Sequence, residues 1–62
     1  MKDTANIVKQ TRKVLGLTQK QFAELLGVKR GRVASYETSR SEPPGSLMLR
    51  IIELANNQRD AA

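Results

Sequence analysis

Neither cysteine nor histidine occurs anywhere in the 62 residues, and in so short a chain that double absence constrains the fold more than any motif. A chain of about 60 residues buries only roughly 60% of the surface that its unfolded form exposes. Small domains usually make up the difference with disulfides, a structural metal or a partner subunit. Without Cys there is no disulfide and no thiolate ligand, and without His the commonest neutral metal ligand is gone. What remains is an apolar core closed by the chain itself, with self-association as the available extra support. The same absences exclude His-based and Cys-based catalysis. The six carboxylates are dispersed along the chain and form no nucleophile–base pair, so the chain does not read as an enzyme. No cofactor and no metal are expected. No apolar run approaches the 18 residues or so of a membrane span, and Met1 to Gln10 lacks the apolar stretch of a signal peptide. The expectation is a single domain over residues 1–62, located in the cytoplasm. Eleven Lys and Arg against six Asp and Glu leave a formal charge of +5. That sign favours nucleic acid or an acidic membrane as partner, but charge alone describes a merely well-solvated surface equally well.

The pattern along the chain predicts four helices and no strand. In residues 4–15, Ile7, Val8, Val14 and Leu15 are apolar at separations of seven, with Thr11 between them on the same face. Gly16 suits the left-handed residue that ends a helix. Thr18-Gln19-Lys20-Gln21 fits a capping box, and Leu17 with Phe22 fits the hydrophobic staple around it. Phe22, Ala23, Leu25 and Leu26 then supply a buried stripe, and Gly27 ends this second helix. A third helix begins near Lys29, with Val33 and Tyr36 inside and Lys29, Arg30, Gly31, Arg32, Ala34 and Ser35 outside. Residues 38–44 read as a loop. Pro44 suits an early helical position, where its missing N–H costs nothing. A fourth helix follows to about Asn56, and the polar tail at about 57–62 is expected to fray. Connections this short demand a compact bundle.

The informative stretch is residues 19–38. Two short helices are joined by a tight turn at Gly27, and the second is basic outside and apolar inside. That is what a helix-turn-helix requires. Ala23 is small where the two helices cross, Gly27 supplies the positive φ that breaks the first helix, and Phe22, Leu26, Val28, Val33 and Tyr36 hold the angle between them. A polar, positive outer face on the second helix can then enter a major groove. The run Leu17-Thr18-Gln19-x-x-Phe22-Ala23-x-x-Leu26-Gly27-Val28, continued by Val33, Tyr36 and Glu37, resembles the XRE family, the group of lambdoid phage repressors and Cro proteins. Glu42-Pro43 and the helix from Leu47 to Leu54 fit as well, so the resemblance covers roughly residues 6–56. It implies a lambda-repressor-like all-α DNA-binding domain of four helices, with a short fifth left open.

The resemblance also implies roles. Gln19 looks like a family residue that fixes the DNA backbone and can touch a base, or else is simply a polar residue early in its helix. Lys29 would meet a phosphate at the start of the recognition helix, and Arg40 could clamp another or lie in a solvated loop. Arg30, Gly31 and Ser35 match base-reading positions, with Arg32 beside them. Arg30 is the strongest of these, since Arg reads guanine O6 and N7 bidentately; its alternative is a phosphate contact that carries no sequence information. Arg12 and Glu37 match a basic–acidic pair that orients the recognition helix in the family; otherwise they are two independent surface charges. Three departures stand out. Lys29 replaces the usual Ser or Thr cap. Gly31 has no side chain to read with and costs up to about 1 kcal/mol of helix propensity. Ser39 stands where many members carry Gly, which puts the Arg40 role in doubt.

On the last helix, Leu47, Met48, Ile51, Ile52, Leu54 and Ala55 span a sector wider than one small helix needs for its own core, and Leu49 lies outside it. Met48, Leu49 and Ile52 are therefore the expected dimer seam, unless the core absorbs the first and last of them. The resemblance implies a homodimer on a palindromic operator in double-stranded DNA. Because the chain ends too soon for a full fifth helix, that dimer is expected to be weak or to form mainly on DNA. Two rival readings stay open: a DNA-binding antitoxin, and a protein-interaction module on the same fold. A membrane-surface helix is disfavoured, since the most apolar helix is not the most basic one.

Overall fold

A computed structural model describes residues 3–60 and the side chains of residues 4–57. It contains four helices: α1 Asp3–Leu15, α2 Gln19–Leu26, α3 Arg30–Glu37 and α4 Gly45–Asp60. Among the described residues there is no strand and no fifth helix. The all-α expectation therefore holds, and the element boundaries follow from local chemistry.

The first three helices all end in the same way. Gly16 takes φ +72°, its N–H bonds the Lys13 carbonyl at 3.0 Å, and the Leu17 N–H bonds the Arg12 carbonyl at 3.1 Å. Gly27 takes φ +75°, with the Gly27 N–H on Glu24 at 3.2 Å and the Val28 N–H on Ala23 at 3.0 Å. Ser39 takes φ +65°, with the Ser39 N–H on Tyr36 at 3.4 Å and the Arg40 N–H on Ser35 at 2.9 Å. These are three Schellman motifs, in which a left-handed residue lets two following N–H groups satisfy the helix's orphan carbonyls. At the other end of α2 the capping box is complete: the Gln21 N–H donates to Thr18 Oγ1 at 3.1 Å and the Thr18 N–H to Gln21 Oε1 at 2.9 Å. Pro44 precedes α4 rather than lying inside it. Its carbonyl accepts the Met48 N–H at 2.9 Å, and that flanking position needs no N–H from the proline.

The core is Val8 from α1, Phe22, Ala23 and Leu26 from α2, Val33 and Tyr36 from α3, and Ile51 from α4. Leu15, Leu17, Val28, Leu47, Met48 and Leu54 are half-buried and pack against it. Helix α3 packs on both α1 and α2, while α1 also supports α4.

Three sequence expectations need correction. Ile7 and Val14 are 37% and 55% exposed, whereas Val8 and Thr11 are buried. The pairs Ile7/Val14 and Val8/Leu15 have the same spacing and differ by one position. The Val8–Thr11–Leu15 line faces inward: Val8 joins the core, Leu15 packs against it, and Arg12 beside them reaches the Glu37 carboxylate of α3. Leu25, expected in the α2 stripe, is 40% exposed; one position before Leu26, it is turned by about 100° away from it. The polar stretch expected to fray after Asn56 is helical as far as Asp60, since no Gly or Pro interrupts it. Residues 61 and 62 lie outside the described part.

Ser39 is the only non-glycine residue with positive φ among those described. An L-residue there costs roughly 1–2 kcal/mol, of which the extra freedom of glycine in the unfolded chain offsets about half. Ser39→Gly should therefore stabilise the domain by about 0.5 kcal/mol and raise its melting temperature by roughly 2–4 °C. Ser39→Val should lower it. Thermal unfolding by circular dichroism would reveal an error if the order were reversed.

Candidate nucleic-acid interface

Helix α3 is anchored at its last turn and bare at its first. Only Val33, Tyr36 and Glu37 are buried, and Glu37 is charged. Its carboxylate, 3% exposed, accepts three N–H bonds. Arg12 Nε donates to Oε2 at 2.7 Å and Arg12 Nη2 to Oε1 at 3.2 Å, while Gln19 Nε2 also donates to Oε1 at 3.2 Å. Arg12 spends a further N–H, from Nη1, on the Leu17 carbonyl at 3.0 Å. A buried carboxylate without partners costs several kcal/mol; here one carboxylate ties the end of α3 to α1 and to the first residue of α2. The structure thus brings Arg12 and Glu37 together. The Gln19 bond had no signal in the sequence, because nothing in a spacing of eighteen residues marks it.

The opposite face of α3 carries the other candidates. Lys29, Arg30, Gly31 and Arg32 are exposed, and Ala34 and Ser35 are half-buried. At about 100° per residue, Gly31 and Ser35 lie opposite Val33 and Tyr36, with Arg30 and Arg32 to either side. Arg40 is exposed in the α3–α4 loop. Its backbone is held by the Ser35 carbonyl, which also takes the Ser41 N–H at 3.4 Å and the Thr38 hydroxyl at 3.3 Å. The seam candidates divide: Leu49 is 60% and Ile52 37% exposed, while Met48 is half-buried against the core.

The first turn of α3 departs from ordinary helix chemistry three times in four residues. Lys29 occupies the cap position in an extended conformation with no side-chain cap bond, and no acidic residue lies in the turn. Lys29, Arg30 and Arg32 instead put positive charge at the helix's own positive end, which is unfavourable by about 0.3–1 kcal/mol for each charge near the terminus. Gly31 costs up to about 1 kcal/mol in helix propensity. A Cβ built at Gly31 meets nothing within 4 Å, so no packing inside the protein requires the glycine.

A family model for helix-turn-helix proteins matches residues 8–58, a span that contains all of α2 and α3. No curated protein and no solved structure matches the chain. No described helix is long and apolar enough to cross a membrane. Among the described residues no group of three or more acidic, His or Cys side chains could hold a metal ion.

The carboxylate cluster generates a stability prediction. Arg12→Met strips the buried Glu37 carboxylate of two of its three donors and should cost about 3–5 kcal/mol. The double change Arg12→Met with Glu37→Met removes both charges together and should restore much of that loss. Urea denaturation of parent, single and double variants measures both effects; a double variant less stable than Arg12→Met would show that the charges themselves hold the helices together.

Proposed function

The chain belongs to the XRE type of helix-turn-helix family, whose members are DNA-binding regulators of transcription, and on that premise we propose a Cro-type or small repressor that binds a palindromic operator in double-stranded DNA as a homodimer. It acts by occupancy and without catalysis, on nucleoid DNA in the cytoplasm. The observation that carries this reading is the first turn of α3. Its missing cap, its misplaced cations and its glycine together cost about 2–3 kcal/mol, in a domain of a size that is typically stable by roughly 3–9 kcal/mol. A phosphate backbone reverses two of those penalties, since an anion satisfies the bare N–H groups and the helix dipole and attracts the cations. Gly31 supports the case: nothing inside the protein calls for it, and a glycine there permits close approach of the backbone to a partner. Local rules broken without an internal gain mark functional surface.

In this reading Arg30 is the principal base contact, with Gly31, Arg32 and Ser35 completing the face that enters the major groove. Lys29, Gln19 and Arg40 hold the backbone. The dimer forms through Leu49 and Ile52 with Met48 beneath them. Its apolar area is small and two copies each carry +5, so the homodimer is weak in solution and is completed on DNA, where phosphates screen the repulsion.

Selection from a random duplex library tests the reading directly. The expected consensus is palindromic, with half-sites roughly 10–10.5 base pairs apart. Arg30→Ala should cost about 1–3 kcal/mol and relax one base pair per half-site. Lys29→Ala should weaken all sequences alike and lower the salt slope by about one. Gly31→Ala should stabilise the free domain by up to about 1 kcal/mol and yet weaken operator binding. A library that yields no consensus would sink the proposal.

The seam has its own test. Leu49→Lys should leave helical content intact, shift sedimentation toward monomer, and weaken binding to a full palindrome far more than binding to one half-site. Equal binding of both duplexes by variant and parent would move the interface elsewhere.

A further inference from the structure

We propose that Glu37 is a positioning residue for a DNA-backbone contact made by Gln19, so that one buried carboxylate sets both the angle of α3 and the donor that α2 offers to a phosphate. The inference rests on the DNA-binding reading above. A carboxylate only accepts hydrogen bonds, whereas the end of a glutamine side chain is a donor on one side and an acceptor on the other. The contact at 3.2 Å from Gln19 Nε2 to Glu37 Oε1 therefore fixes which way the amide faces. Its nitrogen lies against the carboxylate, and the second N–H on the same nitrogen remains for another acceptor. A phosphate oxygen is an acceptor only and takes that N–H; a freely turning amide would present its carbonyl to the phosphate part of the time.

The location fits the backbone rather than the bases. Glu37 is seven residues from Arg30, so at 1.5 Å per residue the Gln19 amide sits about 10 Å along α3 from the turn that carries Arg30. Gln19 is also the first residue of α2. The capping box engages Thr18 and Gln21 and leaves the N–H groups of Gln19 and Lys20 outside the helical ladder. Gln19 is half-buried, neither enclosed in the core nor fully in solvent, while its amide nitrogen reaches the interior carboxylate. Arg12, bonded to both carboxylate oxygens, holds that carboxylate still. The order of support runs from α1 through the end of α3 to the start of α2.

A double-mutant cycle tests the coupling. Affinity for operator and for an unrelated duplex is measured with Gln19→Met in two backgrounds, the parent and the protein carrying Arg12→Met with Glu37→Met. In the parent, Gln19→Met is expected to weaken both duplexes alike, by roughly 3–10-fold per half-site, leaving the ratio between them unchanged. In the background without the carboxylate, the same change is expected to cost less than about twofold, because the amide there is already loose. An equal effect in both backgrounds would overturn the positioning role of Glu37. No effect in the parent would overturn the Gln19 contact while leaving DNA recognition intact, and failure of the parent to bind any duplex would remove the underlying reading. Should the background variant not fold, side-chain amide relaxation of the free parent decides. Gln19 is expected to be nearly as ordered as the backbone, with an order parameter of about 0.85, and exposed Gln10 to fall below about 0.6. Gln19 as mobile as Gln10 would overturn the proposal.

Discussion

A single buried carboxylate organises this domain. Helix α3 has only two apolar side chains turned inward, Val33 and Tyr36, too few to fix both its tilt and its rotation. Glu37 supplies the third anchor, with N–H donors arriving from two other helices. Hydrophobic contact is non-directional, so Val33 and Tyr36 alone would let α3 roll against α1 and α2. A bidentate guanidinium is directional, and it specifies one rotation. Burying an ion pair is not in itself a strong source of stability. Its contribution here is uniqueness of orientation, which an exposed helix needs more than additional strength.

The chain reversals do comparable work with the backbone alone. Each of α1, α2 and α3 ends by the same pair of hydrogen bonds around one left-handed residue. After α1 and α2 the connection is short, and the capping box or the extended Lys29 starts the next helix at once. After α3 the chain continues through Pro43, which is buried, and Pro44 before α4 begins. The carbonyl of Ser35 gathers three donors from that loop, so the loop is fastened to the last turn of the helix that it leaves. The helix that meets the outside is thereby held at its C-terminal end by side chains and backbone together.

Much of this was legible in the sequence where the cause is local. Gly16, Gly27 and the Thr18–Gln21 box depend on residues within a few positions of one another, and the helix ends fall where those residues place them. The family match over residues 8–58 agrees with the motif around Ala23 and Gly27. Illegible features depend on contacts between distant segments. Two apolar lines of equal spacing run along α1, and which of them faces inward depends on packing against the other helices and on the pairing of Arg12 with Glu37, twenty-five residues beyond it. The Gln19–Glu37 bond was invisible for the same reason, since either residue by itself reads as a surface polar group. Leu25 belongs to the apolar stripe of α2 in the sequence but lies outside, because only Phe22, Ala23 and Leu26 of that helix are buried. Ser39 lies between these cases: the family resemblance marks a position where many members carry Gly, but a serine by itself gives no sign of the positive φ that it adopts.

The separation of labour within α3 has an evolutionary consequence. Val33, Tyr36 and Glu37 are the buried residues of the helix, whereas Arg30, Gly31 and Arg32 are exposed. With nothing near Gly31 inside the protein, almost any replacement there would strengthen the helix. A lineage released from its ligand would drift away from glycine at no cost to folding. The exposed positions of α3 are thus freer to change than the buried ones, and folding restrains change at Glu37, which holds three donors, far more than at Arg30.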